Sequence, residues 1–138
     1  MNLINVFNSI QETGGATYNL NTSELNPNTG YIVALVGFER IIERKPITFS
    51  GFQDVLLPYL DRKVWDTIGG REDIYLGFWI EQGKLYIDLV ERIEDRADAI
   101  KEGFKRGQLA IWDASAKEVI TISVKVSDDP DIETDRRH

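Results

Sequence analysis

IYLGFWIEQGKLYIDLVERIEDRADAIKEGFKRGQLAIWD, residues 74–113, reads almost without gaps as strand, tight turn, strand, capped helix and strand. Taking Gln82-Gly83 as a two-residue turn sets Glu81 opposite Lys84, Ile80 opposite Leu85, Phe78 opposite Ile87 and Leu76 opposite Leu89. Opposed residues on antiparallel strands share a face. That register gathers Leu76, Phe78, Ile80, Leu85, Ile87 and Leu89 into one apolar surface, and a slip of one residue scatters the set. The opposite charges of Glu81 and Lys84 are expected to close the tip.

The helix after the hairpin has its own start and stop signals. Asp95 is the expected N-cap, with Asp98 in the first turn where the helix dipole favours an acid. Ile93, Ala97, Ile100 and Phe104 recur at helical spacing and predict an apolar stripe. Lys101, Lys105 and Arg106 lie in the last turns, and Gly107 is the expected stop. Gly103 costs a helix about 1 kcal/mol relative to Ala, and its expected return is close approach to the sheet.

Outward from this block the signals are shorter. Leu3, Val6, Phe7 and Ile10 predict an amphipathic first helix ended by Gly14-Gly15, followed by a strand over Ala16–Leu20. Residues 21–30, NTSELNPNTG, are turn formers and predict a polar loop. YIVALVG, residues 31–37, predicts a buried strand continuing toward Ile42. Ser50 and Gln53 form a capping box for a second helix with Phe52, Val55, Leu56, Tyr59, Leu60, Val64 and Ile68 on its buried side. Pro58 is expected to kink or split that helix, and Gly69-Gly70 to end it. Residues 108–113 and 119–126 predict the last hairpin.

The fold class expected is therefore α+β: an antiparallel or mixed sheet of about six strands built from hairpins, with about three helices packed on it. Residues 1–126 are expected to form a single domain. Residues 127–138, SDDPDIETDRRH, carry five acids and two arginines and are expected to be a disordered acidic tail.

Composition excludes several chemistries. The 138 residues contain no cysteine and one histidine, the terminal His138. Disulfides, thiol catalysis, thiolate zinc sites, histidine triads and histidine proton shuttles are thereby removed. No metal or cofactor is expected. The net charge is −7, of which −3 lies in residues 127–138, and lysines and arginines are scattered among acids. Direct nucleic-acid binding is therefore not expected. No apolar run reaches the roughly 18 residues needed to span a bilayer, and the first residues lack a secretory pattern, so no membrane contact and a cytoplasmic location are expected.

The same hairpin register defines a second face: Tyr75, Gly77, Trp79, Tyr86, Asp88 and Val90. Aromatic groups around a glycine gap, with one carboxylate at its floor, suit a planar ligand or a partner's side chain. Tyr75, Trp79, Tyr86 and Asp88 are the candidate binding residues, set against ordinary cross-strand aromatic pairing. Glu91, Glu94, Asp95 and Asp98 read as a solvated helix start, with Arg92 and Arg96 as counter-charges. The asparagines at 19, 21, 26 and 28 lack calcium-loop spacing, and Gly14-Gly15 lacks a phosphate loop's downstream Gly-Lys-Ser/Thr.

Residues 77–113 resemble a family of small phage and mobile-element proteins, which also occurs as modules in large phage multidomain proteins. The shared elements are the Gly-Phe-Trp strand, the Gly-Lys-Leu-Tyr-Ile-Asp return strand, the acidic helix start and the Gln-Leu-Ala-Ile-Trp-Asp strand. ATYNLNTSELNPNTGY, residues 16–31, is similar to a further element of that family. The resemblance implies no activity. The expectation from all these features is a non-enzymatic accessory protein or binding module acting through a protein partner, in the host cytoplasm if phage-encoded. Two alternatives stand beside it: an acidic inhibitor of a host nucleic-acid-binding or defence system, and a small ligand binder or enzyme using Asp88 and Tyr86.

Overall fold

A computed structural model describes residues 2–122. The expected tail, and the outer half of the strand expected at 119–126, lie outside the described residues. The central hairpin forms as its alternation dictates. Strands β4 (Ile74–Glu81) and β5 (Lys84–Ile93) pair antiparallel in the expected register, Glu81 with Lys84 through Leu76 with Leu89. Gln82 and Gly83 both take positive φ, 54° and 77°, which is the backbone of a two-residue hairpin turn whose twist matches the strands. Lys84 does not close the tip onto Glu81. Its ammonium reaches Glu43, 3.4 Å away.

Around this hairpin stand β1 (Gly15–Tyr18), β2 (Tyr31–Ala34), β3 (Arg40–Ile42), β6 (Ala110–Asp113) and β7 (Glu118–Thr121). All pairings are antiparallel, in the order β1-β4-β5-β2-β6-β7, with β3 also on β5. The class is α+β, with seven strands and four helices among the described residues.

Where one strand was expected from Tyr31 toward Ile42, there are two. β2 pairs with the end of β5 and β3 with its beginning, and residues 35–39 bulge away between them. Gly37, at φ 89°, permits the excursion. The second helix is likewise two: α2 (Phe49–Tyr59) and α3 (Arg62–Ile68). The break follows Pro58 by two residues, and Asp61 recaps the chain by accepting from the Val64 N–H. The α2 N-cap is Thr48, accepting from Gly51 N–H at 3.0 Å, rather than Ser50, which lies inside the first turn.

Helices α1 (Leu3–Thr13), α2 and α3 pack on one face of the sheet. Val6, Ile10, Phe52, Leu56, Val64 and Ile68 meet Leu76, Phe78, Leu85, Ile87 and Leu89 there. α4 (Arg96–Lys105) lies on the same face, over a separate small core of Val33, Ala99, Ile111 and Ile122. Its buried side is not the stripe of larger residues expected. Ala97 is exposed and Phe104 is 55% exposed, while Ala99 and Gly103 face inward. The small residues win because the helix sits close: a Cβ on Gly103 would stand 2.5 Å from Ile122 Cδ1 and 3.0 Å from Ile111 Cγ2. The close approach expected of Gly103 is thus present.

Candidate functional site: the helix-free face of the sheet

All four helices of the described residues lie behind the sheet, so none of them covers its other face. That face carries a trough of about 900 Å³. Small residues form much of the floor: Gly15 and Thr17 of β1, Gly77 of β4, Ala34 of β2 and Ala110 of β6. Trp79 stands toward one end and Trp112 toward the other. Alternation places them so, since Thr17 pairs with Gly77, Gly77 with Asp88, and Ile32 with Trp112.

Asp88 lines this trough and is only 4% exposed. Its position in β5 falls where the neighbouring strand is interrupted, between Ile87, paired with Arg40, and Val90, paired with Ala34. The Leu89 carbonyl still accepts from Leu35 N–H at 3.0 Å. The Leu89 N–H points to the same side and donates to Asp88 Oδ1 at 2.8 Å. One carboxyl oxygen thus replaces a missing ladder acceptor. The other has no hydrogen-bond partner among the described residues. Burial pushes the carboxyl up to about 7, the nearby Glu39 carboxylate adds to the rise, and the Leu89 N–H opposes it.

Trp79 and Tyr86 are half-buried and stacked, with ring centroids 5.2 Å apart and planes 10° from parallel. Tyr75 shares their face but not the trough. It is 3% exposed, and its hydroxyl donates to the Glu24 carboxylate at 2.5 Å. Burial, with that bond, pushes the phenol up to about 12. The loop carrying Glu24 is itself pinned by asparagines. Asn19, fully buried, accepts from the Asn21 and Thr22 N–H groups and donates to the Glu72 carbonyl. Asn26 accepts from Thr17 N–H and donates to Ser9 Oγ.

Of the four residues singled out in the sequence, the structure brings Asp88 and Trp79 to the trough, stacks Tyr86 behind Trp79 and seals Tyr75 under a loop. Glu39, Trp112 and Gln108, which also line the trough, were not among them. Alternation in QLAIWD already sets Trp112 and Ala110 on one side of their strand. That this side continues the hairpin's second face depends on strand order, which local periodicity does not encode. Glu39 arrives only because the strand breaks.

The acids at the start of α4 are engaged elsewhere. Glu91 pairs with Arg106 and Arg71, Glu94 pairs with Arg92, and Asp95 caps the helix by accepting from Asp98 N–H. Among the described residues no acidic or histidine cluster is arranged to hold a metal ion, and no helix is long and apolar enough to cross a membrane.

No protein-family model matches the chain, and neither a curated protein nor a solved structure is significantly similar to it.

Proposed function

We propose that this chain is a binding module that takes a small, partly apolar ligand in the trough, with Asp88 as its polar anchor. The observation that carries this reading is Asp88, a buried residue bordering a cavity large enough for a ligand, whose second carboxyl oxygen has no hydrogen-bond partner among the described residues. Buried polar atoms are as a rule hydrogen-bonded, and concave, mostly apolar sites with few convergent polar groups are the usual form of ligand pockets. Binding is favoured over catalysis because, among the described residues, no nucleophile or second acid is hydrogen-bonded to Asp88. Tyr86, the other group considered for chemistry, is committed to the Trp79 stack. Charge mimicry of nucleic acid is disfavoured by the ion pairs that neutralise Glu91 and Glu94.

A partner protein using the same face is a second reading. It is favoured by Trp112 and Val119, 39% and 59% exposed at the far rim. The deciding experiment is an NMR titration of the labelled protein with aromatic fragments. Shifts at the Gly77 and Asp88 amides and at the Trp79 and Trp112 indoles are expected. Shifts confined to other surfaces, or none, would overturn the ligand reading.

A further inference from the structure

We propose that the trough selects organic cations: an ammonium or guanidinium on an apolar body of aromatic size. The head would sit on Asp88 and the body would lie over Gly77 toward Trp79. This rests on the ligand reading above and names the class of ligand.

Charge is the first support. Among the described residues, the ionisable groups bordering the trough are three carboxyls, Glu39, Glu81 and Asp88, against Lys117 of the β6–β7 turn. Such a surface repels anions and attracts cations before contact.

Unmet demand at Asp88 is the second. Its second oxygen needs a donor, and none of the described residues provides one. Glu39, from the β2–β3 connection, is a like charge. Tyr59 of α2 lies within electrostatic reach, but its hydroxyl donates to the Phe38 carbonyl at 2.7 Å. Arg40 lies over the Tyr59 ring, 5.6 Å from its centroid, and Lys63 over the Phe38 ring at 4.6 Å, and neither pairs with Asp88. A neutral donor would meet the hydrogen bond alone. A cation would meet it and also relieve the repulsion between two carboxyls, since an opposite charge favours the ionised acid.

Shape is the third. Gly77, directly opposite Asp88, contributes no side chain of its own, so only Val90 borders the carboxyl's cross-strand neighbour closely, with Cγ1 3.1 Å from where a Gly77 Cβ would stand. The adjoining Trp79 ring, held flat by its stack on Tyr86, offers a π face to an apolar body or to the cation itself.

The test uses three matched probes differing only in the head group: tryptamine (ammonium), tryptophol (hydroxyl) and indole-3-propionate (carboxylate). Calorimetry on the intact protein at pH 7.5 should show tryptamine at least tenfold tighter than tryptophol, with indole-3-propionate weakest. Asp88→Asn, which keeps an acceptor for the Leu89 N–H, should weaken tryptamine at least tenfold and remove its advantage over tryptophol. Lowering the pH from 7.5 to 5.5 should weaken tryptamine tenfold or more, with proton release on binding, and leave tryptophol unaffected. Should Asp88→Asn lose its native spectrum, Glu39→Gln at the exposed neighbour carries the same comparison, with a smaller loss for tryptamine alone. Equal affinities for tryptamine and tryptophol overturn cation selection while leaving the trough a ligand site. Tightest binding by indole-3-propionate, or failure of all three probes, also overturns it. The fragment titration then decides separately whether the trough binds anything.

Discussion

Asp88 stands directly across from Gly77, so a carboxyl buried on the helix-free face is paired with the one residue of β4 that brings no side chain there. A Cβ on Gly77 would lie 3.1 Å from Val90 Cγ1, tighter than ordinary contact. Gly77→Val is therefore expected to cost about 1–3 kcal/mol, as overpacking does, and to block fragment binding even where the fold survives. Chemical denaturation and the NMR titration check the two halves. A variant as stable as the wild type that binds normally would show the floor to be more open than this pairing indicates.

Proton linkage at Asp88 gives a signed pH effect. Its native carboxyl is pushed up to about 7 by burial, whereas in an unfolded chain a carboxyl titrates near its usual value of about 3.9. Between those values the folded state holds a proton that the unfolded state has released. Stability contributed by this group therefore falls as pH rises from about 4 to about 7, and is level above. The loss is on the order of 2–4 kcal/mol. Asp88→Asn should flatten this slope, making the variant more stable than the wild type at pH 8 relative to their difference at pH 5. Urea midpoints at the two pH values decide it, and parallel profiles would mean that Asp88 is ionised throughout.

The Trp79–Tyr86 stack should show a coupling of about 0.5–1.5 kcal/mol beyond the area each ring buries. A double-mutant cycle to leucine at both positions isolates it. Additive effects would show that the rings merely lie side by side.

In the main core, Phe78 is 3% exposed and meets Phe52 edge-on, with centroids 5.5 Å apart. Phe78→Ala should cost about 3–5 kcal/mol. An unchanged denaturation midpoint would contradict its central place.

Gly103→Leu should destabilise by about 1–3 kcal/mol despite the better helix propensity of leucine, because Ile111 and Ile122 occupy the space any larger side chain needs. Thermal unfolding of the variant reads this directly, and a raised midpoint would show that α4 moves outward freely.

How much of this was written locally in the chain differs by element. The β4–β5 hairpin was fully legible because a two-residue turn fixes the register and alternation fixes both faces; Phe78 and Asp88 were assigned to opposite sides on that ground alone. The α4 boundaries followed from Asp95 and Gly107. Its buried side did not, because side-chain size rather than hydrophobicity decided it: a helix this close to β6 turns Ala99 and Gly103 inward and leaves Phe104 out. The bulge at 35–39 was hidden because an apolar run reads as continuous strand whether or not its partner stays in step. Tyr75 was placed on the correct face, yet its burial depends on Glu24, 51 residues away, which local pattern does not reach.

The trough is carried by two cores. Its Trp79 end is backed by Phe78 and the large core under α1, α2 and α3, whereas its Trp112 end is backed by Ile111 and the small core under α4. Between β2 and β6 the ladder consists of Tyr31 with Asp113 and Ile32 with Trp112. Substitutions under α4 can therefore reshape one end of the site while the Asp88 end keeps its foundation. On the proposed ligand reading, the head and the body of a ligand thus rest on foundations that can be altered separately.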